Sequence, residues 1–156
     1  MKKYAKLAVA ASIAFVPAQA FAATGNVQFN ATVTHTCTIT VNSAGTLGIS
    51  TDFGTLSSLQ AGGAAGSATI AASGNNFDIS VDAPTLSKPA ADTTNEALTA
   101  SYITTGATTV SGSNSDAAND LNNGTTNVSV HVSAVKSGSD VFAAGTYTGT
   151  VVLRCE

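Results

Sequence analysis

The stretch Gly145–Glu156, GTYTGTVVLRCE, decides the predicted fold because its side chains alternate with a period of two. One set is mostly apolar and consists of Tyr147, Gly149, Val151, Leu153 and Cys155. The other set consists of Thr146, Thr148, Thr150, Val152 and Arg154. This alternation predicts one continuous β-strand with one buried face. Such a strand needs a partner along each edge, or a feature that blunts the edge.

A second alternating stretch, residues 23–34, lies near the other end of the chain and supplies a candidate partner. Its apolar positions are Val27, Phe29, Ala31 and Val33, with Asn, Gln and Thr between them. The two stretches together predict that a strand from one end of the chain pairs beside a strand from the other end.

The first 22 residues have the pattern of a secretory signal peptide. Three lysines are followed by an apolar run over residues 7–16, which is too short to span a bilayer, and then by small residues that end at Ala22. We therefore expect cleavage after Ala22 and export of a mature chain of 134 residues through the periplasm. That length suffices for one domain, residues 36–156, preceded by an extension, residues 23–35.

The mature chain would carry three basic residues against nine acidic ones, a net charge of −6. The basic residues Lys88, Lys136 and Arg154 are scattered along the chain, whereas nucleic-acid binding needs clustered lysine and arginine. The same charge argues against binding to anionic membrane surfaces. No later stretch is long and apolar enough to predict a membrane span.

The rest of the chain predicts many short strands and no helix, and hence an all-β fold built as an antiparallel β-sandwich. Strands are expected over residues 36–41, 46–49, 53–59, 97–104 and 126–136, with a hairpin joining 67–72 to 76–81 and a long exposed loop over 108–123. In the strand over 126–136 the side chains of Val128, Val130, Val132 and Ala134 are expected to form ordinary core.

The only two cysteines, Cys37 and Cys155, lie in the exported part of the chain. An oxidising compartment favours a disulfide between them, with free thiols or an intermolecular bridge as alternatives. An intramolecular bond would close a loop of 118 residues and, in the chain-entropy account, would stabilise the fold by roughly 4–5 kcal/mol.

Three segments resemble bacterial pilins. Residues 142–153, FAAGTYTGTVVL, resemble the last strand of subunits assembled by the chaperone–usher pathway. Phe53-Gly54-Thr55-Leu56 resembles a motif of related pilin-like and spore-coat-like domains, and residues 25–39 are similar to pilin N-termini, where an alternating extension precedes a cysteine.

This resemblance implies an incomplete immunoglobulin-like sandwich that is completed by a donor strand from a neighbouring subunit. The donor side chains would be Val27, Phe29, Ala31 and Val33, inserted beside a last strand whose groove-facing residues are Tyr147, Gly149, Val151 and Leu153. The implied partners are further copies in a head-to-tail polymer, a periplasmic chaperone and an outer-membrane usher. The implied product is a surface fimbria that supports adhesion or biofilm formation, with a host or surface receptor left unspecified.

The sequence departs from the common pilin pattern at its C-terminal end. Cys155 stands where many pilins have a tyrosine, Ala143 stands where they have a glycine, and the second cysteine lies in the last strand. If the first and last strands flank the groove and run antiparallel, a Cys37–Cys155 disulfide would link the two groove walls.

Other functions are less well supported by the sequence. No serine lies in a Gly-x-Ser-x-Gly elbow, the acidic loop at 116–124 lacks calcium-loop spacing, and His35 and His131 are expected to be surface or hinge residues. We therefore expect no catalytic residues, no metal site and no cofactor. The alternative to a fimbrial subunit is a self-contained monomeric surface, coat or ligand-binding sandwich, with a periplasmic hydrolase as a more distant possibility.

Overall fold

The computed structural model describes residues 23–114 and 117–156, so the predicted signal peptide, residues 1–22, lies outside the described residues. The chain divides into two units after Thr32. In the first unit, residues 23–32 form no strand and their side chains are exposed. The second unit contains all of the described strands.

Twelve antiparallel strands and no helix occur in the described part of the chain, so the predicted all-β class is confirmed. They are β1 Cys37–Ser43, β2 Gly48–Ile49, β3 Thr55–Ser57, β4 Gly66–Ala72, β5 Phe77–Val81, β6 Thr85–Ser87, β7 Glu96–Gly106, β8 Val110–Asn114, β9 Asn119–Leu121, β10 Gly124–Lys136, β11 Thr148–Thr150 and β12 Leu153–Cys155.

The largest sheet has seven strands and is built around β10. Strand β7 pairs with β10 along one side, and β8 pairs with β7. On its other side β10 pairs first with β4 and then with β3, so β1 lies beyond β4 and β2 lies beyond β3. Strand β1 is therefore an edge strand.

The C-terminal strands pair with the chain segment that contains β5 and β6. Strand β12 pairs with β5, which also pairs with β9, and β11 pairs with β6. The main core lies between these strands and the large sheet, and its fully buried side chains include Ile70, Ile79, Tyr102 and Val128. A smaller cluster contains Leu56, Ala134 and Phe142.

The prediction of one continuous last strand was wrong, because β11 and β12 are separated by two residues. The break lies opposite residues 82–84, which connect β5 to β6. Three residues on that side face only two, Val151 and Val152, so the pairing cannot stay in register. Pro84 also has no N–H to donate. The backbone N–H of Asp82 still donates to the carbonyl of Val152, so the two short strands continue in one direction.

The predicted hairpin of residues 67–81 was also wrong. Strands β4 and β5 exist, but they belong to different sheets, and the turn at residues 73–76 connects one sheet to the other. Both strands bury alternate apolar side chains in the same core, as Ile70 and Ile79 do. A hairpin and a crossover between sheets therefore produce the same sequence pattern.

The predicted exposed loop over 108–123 instead contains β8 and β9. Strand β8 is joined to β7 by backbone pairing, which polar sequences support as well as apolar ones. Leu121 in β9 is buried in the main core. The sequence analysis missed both strands because this region is rich in polar residues that are typical of loops.

Candidate functional site

An open groove with a volume of about 1290 Å³ lies between β1 and the C-terminal segment. Apolar side chains from several parts of the fold line it, including Ile39, Leu47, Leu56, Val130, Val132 and Val151. Val130 and Val132 were expected to be ordinary core, but they are only partly buried and contribute to the groove. An apolar surface of this size, left open to solvent, is typical of a binding site.

Both walls of the groove are edge strands. Strand β1 pairs only with β4, and β11 and β12 pair only with β6 and β5, within the part of the chain that the structure describes. Their other edges carry backbone N–H and C=O groups that no described strand pairs. The groove therefore offers apolar side chains and two unpaired strand edges together, which are the two requirements for adding a strand.

A disulfide links the two walls at one end. Cys37 at the start of β1 is bonded to Cys155 at the end of β12, with the two Cα atoms 6.3 Å apart. The predicted intramolecular disulfide is confirmed. Strand β1 leads away from this bond and the C-terminal segment leads towards it, so the walls run in opposite chain directions.

Residues 141–151 and Leu153 of the C-terminal segment line the groove, and Tyr147, Val151 and Leu153 among them are half-buried. Tyr147, Gly149, Val151 and Leu153 all line it, although Tyr147 precedes β11 and Val151 lies between β11 and β12. A Cβ atom added to Gly149 would lie 3.6 Å from both Leu47 Cδ1 and Val132 Cγ1. A methyl group would therefore fit in ordinary van der Waals contact, and the backbone at Gly149 lies close to the apolar side chains of the groove.

A buried ionic cluster of Lys136, Asp92 and Glu96 contacts the C-terminal wall at Tyr147, away from the disulfide. Tyr147 is eight residues before Cys155, and its hydroxyl lies 2.7 Å from Asp92 Oδ2 and 2.8 Å from the carbonyl of Ala143. Burial, together with the hydrogen bond to the Asp92 carboxylate, raises the pKa of Tyr147 to about 12. This phenol therefore remains a neutral hydrogen-bond donor at physiological pH.

Lys136 is the centre of the cluster. Its ammonium donates to Asp92 Oδ1 at 2.7 Å, to Glu96 Oε2 at 3.0 Å and to the Thr94 carbonyl at 2.9 Å. The ring of Phe142 lies 4.6 Å from the same nitrogen and packs edge-on against Tyr147. The hydrogen bond and charge of Lys136 lower the pKa of Asp92 to about 2 despite its burial.

The segment predicted to be the donor strand forms no strand in the described chain. Phe29 is 92% exposed, and Val27, Ala31 and Val33 are exposed as well. Four apolar side chains thus remain in water at every second position, which is unfavourable unless another surface covers them.

The two histidines lie apart from each other. His35 Nδ1 is 3.0 Å from the Ser73 carbonyl, and His131 Nδ1 is 3.0 Å from the hydroxyl of Ser58 in the groove lining. Over residues 23–114 and 117–156 we find no cluster of three or more potential metal ligands and no helix able to span a membrane.

No protein-family model matches this chain, and no curated protein matches it. The function of the groove must therefore be inferred from its own geometry.

Sequence reasoning did not identify the ionic cluster, although the alternation contained a signal for it. In β10, Val128, Ala134 and Lys136 occupy even-numbered positions, and all three are buried. An inward-facing lysine requires a buried acidic partner. The identity of that partner depended on the path of the loop before β7.

Proposed function

We propose that this protein is the structural subunit of a surface fimbria and polymerises by donor-strand exchange. The observation that carries the proposal is the open apolar groove, bounded by two strand edges that no described strand pairs. In this proposal the body is an incomplete immunoglobulin-like sandwich, residues 36–156. The extension, residues 23–35, of the neighbouring subunit completes it.

The extension and the groove have matching periods. Val27, Phe29, Ala31 and Val33 repeat every second residue, as do Tyr147, Gly149, Val151 and Leu153 along the C-terminal wall. An inserted strand would place its four apolar side chains on the floor and bond its backbone to both edges. Burial contributes about 1–3 kcal/mol for each large side chain, and each backbone hydrogen bond adds about 1 kcal/mol net.

The same geometry favours a filament over a closed oligomer. Each subunit would offer an extension at one site and a groove at another, and such head-to-tail contacts propagate unless the rotation between neighbours closes a ring. Export through the periplasm would expose an empty groove before assembly. A chaperone that lends a strand and an usher in the outer membrane would prevent its aggregation. The assembled fimbria would support adhesion or biofilm formation.

The proposal is tested by deleting residues 23–34 and by exchanging single residues in that segment. Phe29→Asp should abolish polymers because a carboxylate in an apolar groove is costly. Gln28→Asp is the matched control, since it introduces the same charge at the neighbouring position, whose side chain would point away from the groove floor. Polymers are measured as ladders on gels without heating and as filaments by electron microscopy.

We expect polymers from the wild type and from Gln28→Asp, and single subunits from the deletion and from Phe29→Asp. Wild-type protein that remains monomeric at high concentration would contradict the proposal and favour the self-contained sandwich. Equal polymerisation of both aspartate variants would rule out the assigned donor residues.

A further inference from the structure

The buried Lys136 contacts two carboxylates, whereas a simple ion pair needs only one. The Lys136 and Asp92 side chains are 0% and 1% exposed, and a second carboxylate, that of Glu96, lies 3.0 Å from the same nitrogen. Phe142 covers the ammonium on one side. An amine, a carboxyl group and a proton acceptor are thus held together away from water.

We propose that Lys136 and Asp92 join spontaneously in an intramolecular isopeptide bond, with Glu96 transferring the proton. Holding the two reacting groups in contact replaces a bimolecular encounter with a step inside one folded chain. Glu96 is within hydrogen-bond reach of the proton that must move, as a general acid–base group has to be.

The reaction balances without an external reagent. Lys136 Nζ bonds to the carboxyl carbon of Asp92, and the bond from that carbon to Oδ1 breaks. The ammonium has three hydrogens, of which one remains on the amide nitrogen and two leave with Oδ1 as water. Glu96 accepts the first proton from Nζ and returns it to the departing oxygen, so it ends unchanged.

Partners for the product are already in place. The carbonyl of Thr94, 2.9 Å from Nζ, can accept the remaining amide N–H. The hydroxyl of Tyr147, 2.7 Å from Asp92 Oδ2, can donate to the amide carbonyl. The Thr94 hydroxyl, 3.3 Å from Oδ1, can donate to the oxygen that leaves. Neither polar group of the new amide is left unsatisfied in the core.

Charge also favours the product. Before reaction the cluster holds two lysines and two carboxylates, because Lys88 lies 2.9 Å from Glu96. Amide formation removes the two most deeply buried charges and leaves the Lys88–Glu96 pair. Burial of charge is costly even when the charges are paired, so the neutral amide relieves a desolvation penalty.

The resting state of the cluster is nevertheless the ion pair. Burial acts to lower the pKa of Lys136, but the hydrogen bonds and charges of Asp92 and Glu96 outweigh it and raise that pKa. The pKa of Asp92 is about 2. The reactive neutral pair is therefore a minor form, and we expect bond formation to proceed slowly after folding rather than during it.

Intact-mass spectrometry of the protein without the predicted signal peptide, residues 23–156, denatured and with its disulfide reduced, tests the proposal. We expect aged wild-type protein to be lighter than its sequence by the mass of one water molecule. Digestion should give a branched peptide joining the Lys136 and Asp92 segments. Lys136→Arg, which keeps the charge, should show its full sequence mass.

Glu96→Gln tests the proton transfer separately, because it retains the amine and the carboxyl group. General acid–base groups contribute about 10²–10⁴-fold, so water loss should slow by at least that lower factor. Wild-type protein that is folded, has formed its disulfide and keeps its full mass after prolonged incubation would overturn the isopeptide bond. An unchanged rate in Glu96→Gln would overturn the role of Glu96. Neither result depends on polymerisation.

Discussion

At the scale of single residues, protonation of the Asp92 carboxylate should have the clearest effect on the stability of the fold in acid. Its pKa in the folded chain is about 2 against an ordinary value of 3.8, chiefly because Lys136 donates a hydrogen bond to it. A lowered pKa means that the ionised form stabilises the fold. This contribution, roughly 2 kcal/mol, is complete above about pH 4 and is lost as the pH falls towards 2.

We therefore predict a difference in acid sensitivity between freshly folded and cross-linked wild type. The fresh protein keeps Asp92 as an ionisable partner of Lys136, so its free energy of unfolding should fall by roughly 2 kcal/mol more between pH 4 and pH 2. Urea titrations at several pH values measure this, and both forms contain every other carboxylate, including Glu96. Parallel pH profiles would contradict the prediction.

Gly149 lines the groove next to Leu47 and Val132, so a large side chain at this position would occupy groove space. We predict that Gly149→Leu weakens donor binding at least tenfold, because the new side chain would extend from the wall over Leu47 and Val132. Thr40→Leu adds a similar side chain to β1 at an exposed position outside the groove lining and serves as the control. Binding of a labelled peptide of residues 23–34 is the measurement. Equal affinities would show that the donor does not cover Gly149.

At the scale of elements, the disulfide joins two edge strands that no backbone pairing connects directly. We predict that replacing both cysteines by serine lowers the free energy of unfolding by about 2–5 kcal/mol, because the unfolded chain regains the freedom of a long loop. Urea denaturation of the oxidised, reduced and doubly substituted proteins checks this. The reduced wild type and the serine variant should agree. A stability unaffected by reduction would mean that other contacts hold β1 and β12 together.

At the scale of the whole molecule, the proposed donor should stabilise a body that lacks it. We predict that a peptide of residues 23–34 raises the unfolding temperature of protein from which those residues are deleted. A ligand at 100 times its dissociation constant stabilises by about 2.7 kcal/mol. The same peptide with Phe29→Asp is the control. Equal shifts from both peptides, or none from either, would argue against strand insertion.

The sequence by itself determined the all-β class, the alternating pattern of the C-terminal segment and the pair of cysteines available for bonding. These properties follow from composition and from local alternation, which indicates which side chains of a strand share the buried face and which share the exposed face. The same alternation continues to Lys136 in β10, but the burial of this lysine was recognised only in the structure.

Only the tertiary structure decided which strands are neighbours. It divided the last strand opposite Pro84 and placed β4 and β5 in different sheets. It left the edges of β1 and β12 beside an apolar groove without a partner among the described strands, and it brought Asp92 and Glu96 to Lys136. The physical reason is that alternation specifies the face a side chain occupies and carries no information about the strand that pairs with its backbone.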